Sequence, residues 1–175
     1  RYEYDNIADE LSKSGINFFV GGGERYFNDR DDKRDITNEM VDYEFVNSIE
    51  NYRNTDSKNI GFFTAYDDPI EKYLGREPSL NDLIDVTLQK LKSFNKPFFL
   101  LIEGSQIDWA EHDNDPEYLL SEMLEFDAAV ESSFNFAEEN KNTLVVVTAD
   151  HETGGASIVD GNLEESITKT EYSSE

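Results

Sequence analysis

The sequence predicts an α/β fold with a largely parallel central sheet and helices on both faces. Three observations lead to this prediction. Segments with a helical spacing of apolar residues alternate with short apolar runs. The two strongest apolar runs, 98–102 and 144–148, are separated by a long helical pattern. No linker, repeat or low-complexity segment interrupts the 175 residues, which fits a single domain over 1–175.

The N-terminal part of the chain contains shorter patterns. The spacing of Tyr4, Ile7, Ala8 and Leu11 predicts a helix, and Gly15 can end it in the left-handed conformation. The predicted elements that follow are a strand at 16–20, three glycines at 21–23, a charged loop at 24–35, a short helix at 37–42, and strands at 43–46 and 60–65.

A helix with clear boundaries follows residue 78. Ser79 is a good N-cap, Asp82 is placed to complete a capping box, and Pro97 stops the helix. Its apolar face consists of Leu80, Leu83, Ile84, Leu88 and Leu91.

The next long helix begins where Asp115 can cap and Pro116 takes the first helical position. Its apolar stripe consists of Leu120, Met123, Val130, Phe134 and Ala137. Asp127 falls inside this stripe, so we expect a buried acid that is hydrogen-bonded rather than catalytic.

The two strongest strands, 98–102 and 144–148, are continuously apolar. Continuous apolar runs are typical of parallel strands that are buried on both faces. We therefore expect both segments to lie inside the sheet, joined by right-handed crossovers through the helices.

The composition is strongly acidic, with 15 Lys and Arg against 39 Asp and Glu and a net charge of −24. This balance excludes a basic nucleic-acid footprint and disfavours binding to an anionic membrane surface. We expect most of these acids to face water. The absence of cysteine excludes disulfides and thiolate metal sites.

The chain shows no transmembrane segment, because no apolar run approaches the ~20 residues that span a bilayer. A signal-peptide pattern is also missing from these residues. The chain opens at Arg1 directly before a helical pattern, and we expect it to be cut from a longer protein.

Polar residues of metal-binding type follow each of the two strong strands. Glu103, Asp108 and His112 come after the first, and Asp150 and His151 come after the second. Ligands in open α/β sheets bind beyond the carboxyl ends of strands, and these are the two histidines of the chain. The pattern predicts a divalent-metal site.

The spacing of these residues agrees with that prediction. Asp108 and His112 are four residues apart, so a helix places them on one face, where an oxygen and a nitrogen ligand suit zinc. Asp150 and His151 are adjacent and need a turn in the backbone, which Gly154 and Gly155 make plausible. Glu103 offers a hard oxygen ligand that suits magnesium.

Two segments carry a resemblance to a known family. They read Glu-Gly-Ser-Gln-Ile-Asp-Trp-Ala-Glu-His from position 103 and Thr-Ala-Asp-His-Glu-Thr-Gly-Gly from position 148. Both resemble the metal-binding segments of the alkaline phosphatase family, and the glycine-rich segment 19–27 resembles a less specific family motif upstream. The resemblance extends from about residue 7 to residue 156.

The resemblance implies a truncated alkaline-phosphatase-like domain and hydrolysis of phosphate monoesters through a phosphoserine intermediate. Asp108 and His112 would bind one Zn²⁺, Asp150 and His151 would belong to a second, and Glu103 would bind Mg²⁺. The resemblance also places Trp109 near the bound phosphate and implies a periplasmic or extracellular location.

The family's nucleophile segment, Asp-Ser-Ala, is missing from these residues. The nearest match, Asp56-Ser57-Lys58, is rejected because the following residue is wrong. A third histidine is also absent, so the first zinc site implied by the resemblance lacks a histidine. The resemblance further implies that the second zinc site lacks an N-terminal carboxylate and that the magnesium site keeps only Glu103. We therefore expect the chain alone to be inactive as a phosphatase.

Two further expectations concern the parts of the chain outside the metal segments. Unpaired sheet edges predict self-association, and hence a homo-oligomer. The polar tail at 161–175 matches no family segment, and the sequence is compatible with either order or disorder there.

Two other functions remain open at this stage. Related enzymes of the same superfamily, such as phosphomutases and sulfatases, use similar Asp-His segments, although the segment from Glu103 favours the phosphatase branch. A non-catalytic acidic module that binds cations is the other alternative, with acid clusters such as 29–32 as its sites. That cluster lacks the alternating acids and central glycine of a calcium loop.

Overall fold

A computed structural model describes residues 3–162, 164 and 167–173. The fold is α/β, as predicted, with helices and a parallel sheet. The chain divides into two compact units, Arg1–Ile70 and Glu71–Glu175. Within the described residues, none of the helices combines the length and the apolar character needed to cross a membrane.

The described residues of the first unit form four helices and a three-stranded sheet. The elements are α1 (Tyr4–Lys13), β1 (Phe18–Gly21), α2 (Arg25–Asn28), α3 (Ile36–Glu39), β2 (Glu44–Val46), α4 (Ile49–Asn54) and β3 (Ile60–Phe63). The predicted helix and strands are confirmed within a few residues, and Gly15 follows α1 with φ +77°, in the left-handed region.

The sheet has the order β1-β3-β2 and is parallel throughout. The central strand β3 is almost completely buried, with Ile60 fully enclosed and Phe62 at 2% exposure. Phe62 pairs in register with Val20 on one side and Val46 on the other. Burial on both faces explains why this strand reads as a continuous apolar run.

Aromatic rings form much of the core beside this sheet. Phe19 lies within ring-contact distance of Phe27, Phe45 and Phe63, with centroids 5.6–6.2 Å apart. Phe27 also belongs to a buried cluster with Ala8, Ile36 and Met40.

The sequence prediction missed two short helices in this unit. The charged loop expected at 24–35 contains α2, and α4 lies in a region with no predicted element. Ser48 caps α4, because its side chain accepts a hydrogen bond from the Asn51 amide. Helices of this length show too little periodicity to be detected from apolar spacing.

In the part of the second unit that the structure describes, three helices follow a short 3-10 helix at Lys72–Leu74. They are α5 (Leu80–Ser93), α6 (Gln106–His112) and α7 (Pro116–Glu139). The predicted caps are confirmed: Ser79 and Asp82 form the capping box of α5, and Asp115 accepts hydrogen bonds from the first turn of α7. Ile84, Leu88 and Ala129 form the core between α5 and α7.

The prediction that 98–102 and 144–148 are strands covered on both faces is wrong. Neither segment pairs with another strand within the described part of the chain. Leu100 and Ile102 pack on the core of α5 and α7, whereas Phe99 is 90% and Leu101 79% exposed. A ladder requires a neighbouring strand, and neither segment has one here.

The prediction for α7 is also wrong about which face is buried. Asp127 is exposed, and so are Leu120, Met123 and Phe134 of the predicted apolar stripe. The buried residues of the helix are Tyr118, Glu122, Glu125 and Ala129. The buried face is polar because the two glutamates pair with cations that apolar periodicity does not reveal.

An antiparallel pair of strands ends the described structure. β4 (Ser157–Asn162) pairs with β5 (Ile167–Glu171), with a register irregularity between Ile158 and Asp160. Part of the polar tail at 161–175 therefore has regular structure, while residues 163, 165, 166, 174 and 175 lie outside the described residues.

Candidate metal centre

Helix α6 places the first pair of predicted ligands together. Its buried residues are Gln106 and Ala110, four residues apart on its inner face. Asp108 and His112 share the same spacing on a different face and remain partly accessible to solvent. The His112 Nε2 atom lies 3.6 Å from Asp108 Oδ1. The predicted one-face arrangement is therefore observed.

The second pair lies in the loop after 144–148. The His151 Nε2 atom is 3.4 Å from Asp150 Oδ2. The backbone bends at Asp150, and a second bend follows at Gly154, where Gly154 has φ +42° and Gly155 has φ +65°. Both values lie in the left-handed region that favours glycine.

The other ring nitrogen of His151 faces the backbone. His151 Nδ1 lies 2.9 Å from the Glu152 carbonyl oxygen. This carbonyl, together with the charge of Asp150, raises the pKa of His151 above its ordinary value. A proton on Nδ1 would leave the lone pair on Nε2, which is the nitrogen that faces Asp150.

Thr153 joins helix α6 to the loop that carries His151. Its hydroxyl donates a hydrogen bond of 2.6 Å to Asp108 Oδ1, and its Oγ1 lies 3.1 Å from His151 Nδ1. Residues from the two predicted sites are thereby brought to one place. Thr153 is not among the residues predicted from the sequence, although its position two residues after His151 is a signal that could have identified it.

The glycine turn packs directly against the end of α6. A Cβ atom on Gly154 would lie 2.5 Å from the Glu111 carbonyl oxygen, so only glycine fits without a shift. On its other side the Gly154 carbonyl accepts a hydrogen bond of 2.9 Å from the Ser173 amide, just after β5. The turn is therefore held between α6 and the end of the β4–β5 pair.

Two other predicted residues are less closely tied to this cluster. Glu103 is exposed, at the point where segment 98–102 ends. Trp109 lies on α6 and is 37% exposed. The hydrogen bonds that link Asp108 to His151 run through Thr153 and involve neither Glu103 nor Trp109.

The two pairs fit the spacing of zinc ligands. Ligand atoms about 2.0–2.1 Å from a tetrahedral ion lie about 3.4 Å from each other. The observed separations are 3.6 Å for Asp108 and His112 and 3.4 Å for Asp150 and His151. Within the described residues, no group of three or more acidic, histidine or cysteine side chains converges.

Comparison with known proteins gives a consistent result. The family profile named alkaline phosphatase matches residues 2–172. Alkaline phosphatase 4 of Bacillus subtilis is 40% identical over 170 residues, which is 90% of this chain and 36% of that protein. The chain therefore spans about a third of the length of this relative.

Solved structures agree with the sequence comparison. The alkaline phosphatase of the Antarctic bacterium TAB5 superimposes with a TM-score of 0.86 at 32% identity, covering 97% of this chain and 52% of that one. A variant of the same enzyme, with a TM-score of 0.85, 32% identity and coverage of 97% and 53%, has Mg bound in a site named M3.

Proposed function

Because this chain belongs to the alkaline phosphatase family, we propose that it supplies part of the metal centre of a phosphate monoester hydrolase. The observation that carries this proposal is the Thr153 hydroxyl, which joins Asp108 of one segment to His151 of the other. A hydrogen-bonded link between the two segments would keep their metal ligands at one site. Hydrogen bonds of this kind orient ligands in metal sites.

We assign the ligands as two pairs and a single carboxylate. Asp108 and His112 would hold one Zn²⁺, Asp150 and His151 would contribute to a second, and Glu103 would bind Mg²⁺. The pair separations support the zinc assignments, and the Mg-containing TAB5 structure supports magnesium in the family. Bound divalent ions would stabilise negative charge on the oxygens of the phosphate ester.

The side chains of this chain would act by holding position and charge. Thr153 fixes the orientation of the Asp108 carboxylate, and the Glu152 carbonyl holds the Nδ1 side of His151. That arrangement directs Nε2 of His151 toward the same space as Asp150. None of these groups is a nucleophile in the proposal.

We further propose that the chain alone turns over phosphate esters very slowly. An Asp-Ser-Ala segment does not occur in the 175 residues. The nearest match to that segment contains Ser57, whose hydroxyl donates a hydrogen bond of 3.0 Å to the Asn59 carbonyl. A backbone carbonyl is not a base that could activate the hydroxyl as a nucleophile. The two incomplete ligand pairs also favour weak metal binding over tight binding.

Zinc titration by calorimetry tests the ligand assignment. We expect His112→Ala and His151→Ala each to weaken zinc binding at least tenfold, because each removes half of a pair. Glu152→Gln is the matched control, because it changes an exposed acid next to His151. Glu152 contacts the His151 ring through its backbone carbonyl, which the substitution leaves in place. Equal zinc affinity in all four proteins would reject the assignment.

A turnover assay tests the proposed inactivity separately. The chain is incubated with an aryl phosphate and saturating Zn²⁺ and Mg²⁺, and release of the phenol is measured. We expect no release above that of the metal-containing buffer. Turnover that disappears in His151→Ala would show that the chain carries a working nucleophile, and the inactivity proposal would then be rejected.

A cation-binding module without catalysis is the second candidate, because the net charge is −24. The acid cluster at 29–32 is poorly suited to this role. Asp29 accepts a hydrogen bond from the Tyr66 hydroxyl, and Asp32 pairs with Arg30. A preference for calcium over zinc that survives His112→Ala would favour this candidate.

The exposed apolar segments support a proposal of self-association. Phe99, Leu101, Leu144 and Val146 are all more than 70% exposed, although they belong to apolar runs. Unpaired segments of this kind offer backbone groups to a second chain. By family resemblance we also propose a periplasmic or extracellular location, which fractionation of the source cells would test.

A further inference from the structure

A buried cluster of charges lies beside the start of α6 in the second unit. It consists of Arg76, Glu122 and Glu125, whose side chains are 14%, 5% and 4% exposed. Arg76 donates to both Glu122 oxygens, at 3.0 and 2.5 Å, and to Glu125. Burial alone would lower the pKa of Arg76, but its bonds to the two carboxylates raise it, so the guanidinium stays charged.

The two carboxylates also hold the backbone of the preceding loop. Glu122 accepts a hydrogen bond of 2.8 Å from the Lys72 amide, and Glu125 accepts one of 3.2 Å from the Leu80 amide. Lys72 Nζ lies 3.2 Å from Glu125, which gives two cations for two anions. Together with Lys72 the cluster is neutral, and it fixes the loop at 72–80 on α7.

The same cluster reaches the first residue of α6. Gln106 is 5% exposed, and its side-chain oxygen accepts a hydrogen bond of 3.0 Å from Arg76 and one of 2.8 Å from the Tyr118 hydroxyl. Burial raises the pKa of Tyr118, which keeps this hydroxyl a donor at all ordinary pH values. Two donors from different elements therefore converge on one acceptor atom.

This contact sets the rotation of α6 about its own axis. Gln106 and Ala110 form the buried face, while Asp108 and His112 project from another face of the same helix. In a helix of seven residues, any rotation that releases Gln106 also moves Asp108 and His112. Such a movement would also lengthen or break the hydrogen bond of 2.6 Å between Thr153 and Asp108.

We propose that Arg76 and Tyr118 are positioning residues that hold α6, through Gln106, in the orientation that presents Asp108 and His112 to a divalent ion. This inference rests on the proposed function for its metal, but the restraint on α6 itself does not depend on metal. Arg76 and Tyr118 act at a distance from the ion and bind no substrate.

Tyr118→Phe isolates the positioning effect from the charge pairs. It removes the hydroxyl that donates to Gln106 and leaves Arg76 with both glutamates. Tyr73→Phe is the matched control, because the Tyr73 ring lies 5.8 Å from that of Tyr118 and the substitution also removes one hydroxyl. Arg76→Lys keeps the charge but loses the planar fork that reaches three acceptors.

The first measurement is amide hydrogen exchange of the metal-free chain. We expect exchange in α6 to become at least tenfold faster in Tyr118→Phe and in Arg76→Lys, with α5 unchanged in Tyr118→Phe. Tyr73→Phe should exchange like the parent chain. Unchanged α6 exchange in Tyr118→Phe would overturn the proposal, whether or not the chain binds zinc.

The second measurement is binding of Zn²⁺ and the visible spectrum of bound Co²⁺. We expect Tyr118→Phe to weaken zinc binding about tenfold and to shift the cobalt bands, with no effect in Tyr73→Phe. Unaltered affinity and spectrum in Tyr118→Phe would overturn the positioning role. Absence of zinc binding in the parent chain would reject the proposed function, and hydrogen exchange alone would then decide the restraint on α6.

Discussion

Substitution of Gly154 by alanine tests whether the turn after His151 holds the candidate metal centre together. The new Cβ would lie 2.5 Å from the Glu111 carbonyl oxygen, about 0.9 Å short of the 3.4 Å at which ordinary contact begins. The turn must therefore move away from α6 by nearly 1 Å. Thr153 is adjacent, and its bond of 2.6 Å to Asp108 would lengthen to about 3.5 Å, the outer limit of a hydrogen bond.

Two costs contribute to the expected result. Placing alanine at φ +42° costs about 1–2 kcal/mol, and the contact with Glu111 adds about 1–3 kcal/mol. Loss of a hydrogen bond to a charged group, worth about 1.5 kcal/mol, should weaken zinc binding roughly tenfold.

Gly15→Ala provides the matched control. Gly15 has φ +77°, and a Cβ there would meet no atom within 4 Å, so this variant carries the backbone strain without the collision. Zinc titration and thermal unfolding are measured for both variants and the parent chain. If Gly154→Ala binds zinc like the parent and melts like Gly15→Ala, the turn does not position the ligands and the reasoning fails.

Two other predictions concern acid stability and association. Arg30 lowers the pKa of Asp32 to about 2 from the ordinary 3.8, so the free energy of unfolding should fall as the pH drops from about 4 to 2. In an acid titration followed by circular dichroism, Asp32→Asn should reduce the loss of stability between pH 4 and 2. Asp31→Asn, which changes an exposed neighbouring acid, should leave that loss of stability unchanged. Phe99→Lys should lower the apparent mass in sedimentation at high concentration, whereas Val41→Lys, at an isolated exposed valine, should not. A parent chain that remains monomeric throughout would contradict the association proposal.

The parts of the fold that sequence predicts well are those set by local chemistry. The capping box of Ser79 and Asp82 and the start of α7 at Asp115 depend on atoms within a few residues of each other. The α6 pair, Asp108 and His112, follows from helical spacing alone. Such features need no knowledge of what packs against them.

The parts that sequence predicts poorly depend on distant partners. The segment around Phe99 has the composition of a buried strand, but a strand forms only where another supplies its hydrogen bonds. Glu122 and Glu125 are buried because Arg76, more than 40 residues away, neutralises them. Apolar periodicity therefore selected the wrong face of α7.

The same limit applies to the candidate site. Threonine is not a residue type that indicates a metal site. The importance of Thr153 lies in its hydrogen bond to Asp108, 45 positions earlier. Asp150 and His151 could be selected by residue type, but their relation to Asp108 could not be measured from the sequence. Contacts of this kind become visible only after the helices have been placed.

The length of α7 sets the minimum length of the chain between its end and Thr153. Its 24 residues rise about 36 Å, and the chain must return over that distance to bring Thr153 back to Asp108. Residues 140–153, fourteen in all, make this return, and they reach at most about 46–50 Å when fully extended. The return therefore exceeds the length of α7 by about 10–14 Å, which is three to four residues. Removing two residues from it would leave Thr153 within reach of Asp108, whereas removing six would leave at most about 29 Å of chain and would separate the two halves of the site.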